Sequence, residues 1–229
     1  MTPDPESFRA PFFSKTHLRN EAEQFRAKYA KESVPVDILA IAEFDLGLEF
    51  RPVSSLRRDC DAEAAILGDL QTLLVDMDCY MDERFASRLR FSVAHEIGHF
   101  VLHKEVFTGL AHQSVDEWID FTRRLPDEQY SYLEYHANEF AGRLLVPVEP
   151  LRRMVHEAIE TAQKSGIPAE MLRDRGAEYI TRGIAQRFLV SDQVIARRLQ
   201  AEDDIWPTPQ ARPTPRPSPS AASWPRGRA

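Results

Sequence analysis

His95, Glu96 and His99 are the residues of this 229-residue sequence whose types and spacing could do chemistry. On an α-helix, residues i and i+4 lie one turn apart, separated by about 6 Å along the axis. Two imidazoles at this spacing can bind one tetrahedral cation, with Zn–N bonds of about 2.0–2.1 Å. Glu96 is turned by about 100° from His95, so it lies beside the metal and can take a proton from a water molecule. The spacing therefore predicts a catalytic zinc site that holds about one Zn²⁺ per chain.

The residues around this motif predict the helix that the chemistry needs. Leu89, Val93, Ile97 and Val101 recur at every fourth position and form one apolar stripe, whereas the two histidines lie on another face. We expect a helix over roughly 83–104. A match of three fixed positions can arise by chance, but a match inside a helical apolar pattern has the context that supports a metal site.

A catalytic zinc site needs a third protein ligand, and Glu134 is the best candidate. It lies at the start of a well-patterned apolar series, which consists of Leu133, Ala137, Phe140, Ala141 and Leu144. A competing interpretation is that Ser131 and Glu134 form a capping box at the start of that helix. A helix that begins earlier, at Asp127, would remove this alternative. Asn138 lies one turn beyond Glu134 and could orient a metal ligand.

Two segments in this order resemble the ImmA/IrrE family of bacterial zinc metallopeptidases. They run from Arg90 to His103 (RFSVAHEIGHFVLH) and from Glu134 to Pro147 (EYHANEFAGRLLVP). The resemblance implies a gluzincin-like active site, with His95, His99 and Glu134 as zinc ligands and Glu96 as the general base. It also implies a protein substrate, a helix-turn-helix repressor that is cut to release transcription of stress-response or mobile-element genes.

The pattern of the whole chain predicts an α+β fold. We expect a flexible N-terminal arm at 1–15, a zincin-like metallopeptidase core at 16–147 and a helical C-terminal subdomain at 148–205. The Pro-rich segment 206–229 cannot form an apolar core and is expected to be disordered.

Three short strands are expected before the HExxH helix, at 48–53, 64–67 and 72–77. The short connections between them favour an antiparallel sheet that covers this helix. In zincins the edge strand of such a sheet can pair with an extended peptide substrate.

The composition and the net charge restrict the cellular compartment and the partners that we expect for this protein. The net charge of −7 argues against a protein that binds nucleic acid through bulk charge. The first residues show neither a basic nor an apolar leader, and no stretch reaches the roughly 20 apolar residues that span a bilayer. We therefore expect a cytoplasmic protein without membrane contact, in which Cys60 and Cys79 remain free thiols.

Residues 184–199 resemble a helix-turn-helix, with local positive charge from Arg182, Arg187, Arg197 and Arg198. A DNA-contacting regulator would place the second helix in the major groove. We favour a helical subdomain that closes the peptidase fold or docks a substrate, so direct binding of nucleic acid is not favoured. A non-proteolytic protein that sequesters a repressor is a further alternative, but pure binding does not require the intact base Glu96.

Two further histidines near the motifs are expected to have structural roles. His103 is expected to contact C-terminal carbonyls at the end of its helix, and His136 is expected to face away from the metal. Four residues are candidates to stabilise an oxyanion, and the sequence does not choose among them: His112, Tyr130, Tyr132 and Tyr135.

Overall fold

Nine helices and three strands make up the part of the chain that the structure describes. The structure, a computed structural model, describes residues 7–54, 56–106, 117, 123–167, 171, 177–202 and 205–206. The helices are α1 (Lys15–Phe25), α2 (Ile38–Ala40), α3 (Leu56–Cys60), α4 (Met77–Met81), α5 (Ala86–Leu102), α6 (Asp127–Leu145), α7 (Val148–Lys164), α8 (Ala177–Phe188) and α9 (Asp192–Ala201). Single π-helical turns, Arg26–Ala30 and Ile41–Asp45, extend α1 and α2. None of these described helices is long and apolar enough to cross a membrane.

The strands form one mixed sheet beside α5. They are β1 (Glu49–Val53), β2 (Ala64–Ile66) and β3 (Thr72–Asp76), and their order in the sheet is β1-β3-β2. β2 is antiparallel to β3, but β1 is parallel to β3. The strand positions were predicted correctly, whereas the prediction of an antiparallel sheet was wrong. A short turn joins β2 to β3 as an antiparallel pair. The longer connection through α3 and β2 lets the chain cross over, so that β1 lies parallel to β3 at its other edge.

Helices α5 and α6 form the centre of the fold and pack closely along their apolar faces. Leu89, Val93 and Ile97 of α5 are buried, as the four-residue spacing predicted. The whole apolar series predicted for the second helix is also buried: Leu133, Ala137, Phe140, Ala141 and Leu144. The two motifs of the sequence thus lie on neighbouring helices.

Gly98 allows the backbones of α5 and α6 to approach. A Cβ atom at Gly98 would lie 3.0 Å from Cα of Ala137 and 3.1 Å from its carbonyl oxygen. Both contacts are with backbone atoms, which cannot move aside as a side chain can. The glycine inside the HExxH motif is therefore required by packing.

We expect Gly98→Ala to lower the free energy of unfolding by about 1–3 kcal/mol, the usual cost of overpacking a core. Urea denaturation of the metal-free protein measures this change. Gly183→Ala is the matched control, because Gly183 also lies in a helix but a Cβ there would meet no atom within 4 Å. The Gly183→Ala variant should be as stable as the wild-type protein or more stable by up to about 1 kcal/mol. Equal effects of the two substitutions would contradict the close contact of α5 with α6.

The N-terminal part of the chain packs on α6 and on residues near it. Phe25 of α1 meets Phe140 edge to face at 5.7 Å between ring centroids, and Arg26 Nη1 donates to the carbonyl of Leu144 at 2.7 Å. In the described part of the predicted arm, Phe8 and Ala10 pack against the buried pair Leu125 and Leu133. Ser14 caps α1 by accepting a hydrogen bond from the N–H of His17. Residues 1–6 lie outside the described residues.

The helix-turn-helix-like segment packs onto the core through α9. Ser191 caps α9 by accepting a hydrogen bond from the N–H of Val194. Arg198 is buried, and its Nε donates to the carbonyl of Val146 at 3.1 Å. Arg198 Nη1 lies 2.9 Å from Glu202 Oε1, as does Arg143 Nη1 of α6. The chain beyond Trp206, which includes most of the predicted disordered tail, lies outside the described residues.

Candidate metal centre

His95, His99 and Glu134 converge at the interface of α5 and α6. The Nε2 atoms of His95 and His99 are 3.0 Å apart. Glu134 Oε2 lies 3.2 Å from Nε2 of His95, and Glu134 Oε1 lies 3.4 Å from Nε2 of His99. Among the described residues, these three form the one group of His, Cys, Asp and Glu side chains that could hold a metal ion.

The separations of these atoms fit a tetrahedral zinc site. Bonds of about 2.0–2.1 Å at tetrahedral angles place neighbouring ligand atoms about 3.3 Å apart. The three measured separations lie around this value. Two histidines and one glutamate are also a donor set of catalytic zinc sites, which keep a fourth position open for water or substrate.

The capping-box interpretation of Glu134 is wrong. Helix α6 begins at Asp127, so Glu134 lies in its third turn rather than at its N-terminus. Burial favours the protonated form of the carboxyl, but hydrogen bonds from His95 and His99 hold the pKa of Glu134 well below its usual range. Glu134 is therefore ionised, which is the form that binds a metal.

Both ring nitrogens of His95 have partners that suit a metal ligand: Nε2 faces the triad and Nδ1 faces Asn138. Burial disfavours its charged form, but the hydrogen bond to Glu134 and the charges of Glu96 and Glu134 raise the pKa of His95. Its Nδ1 atom lies 3.3 Å from Oδ1 of Asn138. An Nδ1–H that donates to this amide oxygen leaves Nε2 directed at the site, which is the orienting role expected for Asn138.

Glu96 is buried, and its carboxylate faces β2. Its Oε2 accepts a hydrogen bond of 2.9 Å from the backbone N–H of Ile66. Burial raises the pKa of Glu96, and the nearby rings of His99 and His95 oppose this rise. The carboxylate thus has a fixed position next to the triad without being part of it. Its contact with Ile66, which lies 30 residues away, could not be predicted from the sequence.

β2 is held over α5, and no strand in the described part of the chain pairs with its outer edge. Glu63, which precedes it, accepts a hydrogen bond from Ser92 Oγ at 3.1 Å and pairs with Arg88 Nη2 at 2.5 Å. Leu67 N–H and the Glu63 carbonyl bond to β3. Because backbone groups alternate along an antiparallel strand, those of Ala64 and Ile66 point away from β3.

This edge borders a cavity of about 670 Å³ that contains the triad and Glu96. A second cavity of about 680 Å³ continues from it between α6 and α9, with Phe91, Tyr130, Glu134 and Asn138 lining both. The two cavities together form a cleft that a peptide could occupy.

Tyr130 is the candidate oxyanion donor that the structure brings to the catalytic cavity. Burial and the charges of Glu134 and Glu96 raise its pKa to about 12, so its hydroxyl keeps its proton. Tyr135 lines only the second cavity, and Tyr132 is not part of either lining. His112 lies outside the described residues.

His103 lies at the C-terminal end of α5 and His136 lies outside the triad, as expected, but the contact between their rings was not predicted. The Nδ1 atoms of His99 and His103 are 3.0 Å apart, and His103 Nε2 lies 3.2 Å from His136 Nδ1. The expected contact of the His103 ring with C-terminal carbonyls was wrong, because His136 of α6 lies beside the end of α5. Burial and the neighbouring rings of His99 and His136 lower the pKa of His103 to about 2.

Two packed helices that bring a His–His–Glu triad and a buried carboxylate to an open cleft define a site of the metallopeptidase class. The family model of the IrrE N-terminal-like domain, Peptidase M78, matches residues 85–200. The chain belongs to this family, as the resemblance of its two motifs predicted. No curated protein matches the chain significantly. The matched region runs from the start of α5 into α9 and contains all three triad residues and Glu96.

Proposed function

We propose that this protein is a zinc-dependent endopeptidase that cleaves a helix-turn-helix transcriptional repressor in the cytoplasm and thereby derepresses stress-response or mobile-element genes. The observation that carries the peptidase assignment is the convergence of His95, His99 and Glu134 next to Glu96 at the open edge of β2. Family membership supports the peptidase class. The assignment of a repressor as the substrate rests on the resemblance to the ImmA/IrrE family.

The geometry of β2 supports a peptide as the substrate. The outward-pointing backbone groups of Ala64 can pair with an extended chain, as in recognition by strand addition. Such a chain would run along β2 and over the triad. Its carbonyl groups would then lie close to both Glu96 and Tyr130, which line the same cavity.

His95, His99 and Glu134 would hold the zinc ion, which when bound polarises the scissile carbonyl and lowers the pKa of a water molecule. Glu96 accepts a proton during attack on the carbonyl and passes it to the leaving nitrogen. The hydrogen bond from Ile66 N–H keeps the Glu96 carboxylate in place for both transfers. Tyr130 remains protonated and donates a hydrogen bond to the carbonyl oxygen as negative charge develops on it.

The DNA-contacting alternative loses one of its four cations to the core. Arg198 is buried against α6, whereas Arg187 stays exposed in a surface ion pair with Glu157 of α7 at 2.9 Å. A buried guanidinium that is bonded to Val146 and Glu202 cannot reach a phosphate without breaking the contact of α9 with the core.

The experiment that tests the proposed function is incubation of the zinc-loaded protein with helix-turn-helix repressors of the host, beginning with any that is encoded beside its gene. We expect a limited set of cuts, visible by intact-mass spectrometry, and loss of cutting with a chelator. Tyr130→Phe should lower kcat by a factor on the order of 10², because one donor to the developing oxyanion is lost.

Tyr132→Phe is the matched control and should cut at the normal rate, because Tyr132 is an exposed residue of the same helix outside the cavity lining. Equal rates for the two variants would remove Tyr130 from the mechanism. Stable binding of the repressor without any cut would favour the sequestering alternative.

A further inference from the structure

A row of three imidazole rings continues from the candidate metal centre into the interior. His99, His103 and His136 are each 2% exposed or less. The nitrogen–nitrogen separations between successive rings are 3.0 and 3.2 Å, which are hydrogen-bond distances. Each short contact between two of these buried rings requires one nitrogen that carries a proton and one that does not.

A single arrangement of protons satisfies the row when the rings are neutral and His99 binds a metal through Nε2. The proton of His99 then lies on Nδ1 and is donated to Nδ1 of His103. His103 must therefore carry its own proton on Nε2, where it is donated to Nδ1 of His136. Each ring thus determines the tautomer of the next.

We propose that His103 is a positioning residue that fixes the tautomer and the ring orientation of His99, and that His136 fixes His103 in turn. The inference rests on the proposed function only in so far as His99 binds a metal. Ligating histidines usually donate their second ring N–H to a carboxylate, a backbone carbonyl or water. His95 follows this pattern through Asn138, whereas His99 uses another imidazole.

The surroundings of His103 hold its ring in this position. Its backbone N–H donates to the carbonyl of His99 at 2.9 Å, which attaches it to the end of α5. Phe13 covers the other side, with its ring centroid 6.2 Å from that of His103 and 5.1 Å from that of His136. The N-terminal segment thereby excludes the water that could otherwise accept the hydrogen bond of His99.

Paired substitutions of His103 separate the positioning role from simple packing. His103→Asn places an amide oxygen where Nδ1 stood, so an acceptor for His99 remains. His103→Leu places a methyl group there and removes the acceptor. Competition with a chelator should show zinc binding that is 10–100-fold weaker for the leucine variant, the usual cost of losing such a partner. The asparagine variant should stay within about threefold of wild type.

Urea denaturation of each metal-free variant shows whether a change in zinc affinity merely follows lost stability. Wild-type affinity in the leucine variant, or equal weakening in both variants, would overturn the proposal. If neither variant folds, long-range ¹H–¹⁵N NMR spectra of the wild-type protein decide. We expect His103 to be protonated on Nε2 and unprotonated on Nδ1, and the opposite tautomer would overturn the proposal. The spectra are recorded on the zinc-loaded protein. Because they report the tautomer and not cleavage, they remain informative if the protein binds zinc but cuts no repressor and the proposed function fails.

Discussion

Glu96→Gln is expected to slow repressor cleavage by a factor of roughly 10²–10⁴, the contribution of a positioned general base. The substitution keeps the size of the side chain and an oxygen that can accept the hydrogen bond from Ile66 N–H. The amide cannot take up a proton, so the loss should appear in kcat, with little change in KM. Zinc content and the urea midpoint should stay close to those of the wild-type protein.

Glu128→Gln is the control for the change of charge. Glu128 is exposed in the first turn of α6 and does not line the catalytic cavity, so its variant should cleave at the wild-type rate. Cleavage by Glu96→Gln at the normal rate would mean that another group is the base. It would also leave the burial of Glu96 beside β2 as a purely structural feature.

The helices of the site could be predicted because their signals are local. The four-residue spacing of Leu89, Val93 and Ile97 is a property of one helix, and so is the i, i+4 relation of His95 and His99. The patterns therefore located both helices and their inward faces. The convergence of Glu134 on the histidines was predicted from chemistry, since a catalytic zinc site needs a third ligand.

Contacts between distant segments could not be predicted in the same way. Alternating or apolar runs locate strands but do not choose their partners, and the helix between β1 and β2 decided the mixed order of the sheet. The contact of Ile66 with Glu96 spans 30 residues, and that of His103 with His136 spans 33. Each depends on how one element is offset along another. For α5 and α6, whose contact brings His103 to His136, the close packing at Gly98 limits this offset.

The burial of Arg198 could not be predicted from the sequence either, because it also depends on a contact between distant segments. In the sequence it belonged to a basic group that could contact DNA, yet in the structure it is 4% exposed and lies against α6. Its partners, Glu202 and the carbonyl of Val146, compensate a charge that would otherwise be costly to bury. A run of arginines indicates a surface only when neighbouring elements do not cover it.

His95→Ala and His99→Ala are each expected to lower the zinc content from about one ion per chain to nearly none. Each substitution leaves two protein ligands, which do not hold a catalytic zinc ion through dialysis. Added zinc at about 100 times Kd should stabilise the wild-type protein by about 2.7 kcal/mol, because only the folded state binds it. The two variants should gain little stability from the same addition.

Elemental analysis after dialysis measures the zinc content, and thermal unfolding with and without zinc measures the gain in stability. His156→Ala is the matched control, because His156 is an exposed histidine of α7 that lies outside the triad. It should retain about one zinc ion per chain and the full gain in stability. Glu134→Ala should behave like the two histidine variants, since its carboxylate oxygens lie close to both Nε2 atoms and we expect it to be the third ligand. Full zinc retention in both histidine variants would refute the site, whereas retention in Glu134→Ala alone would mean that another residue supplies the third ligand.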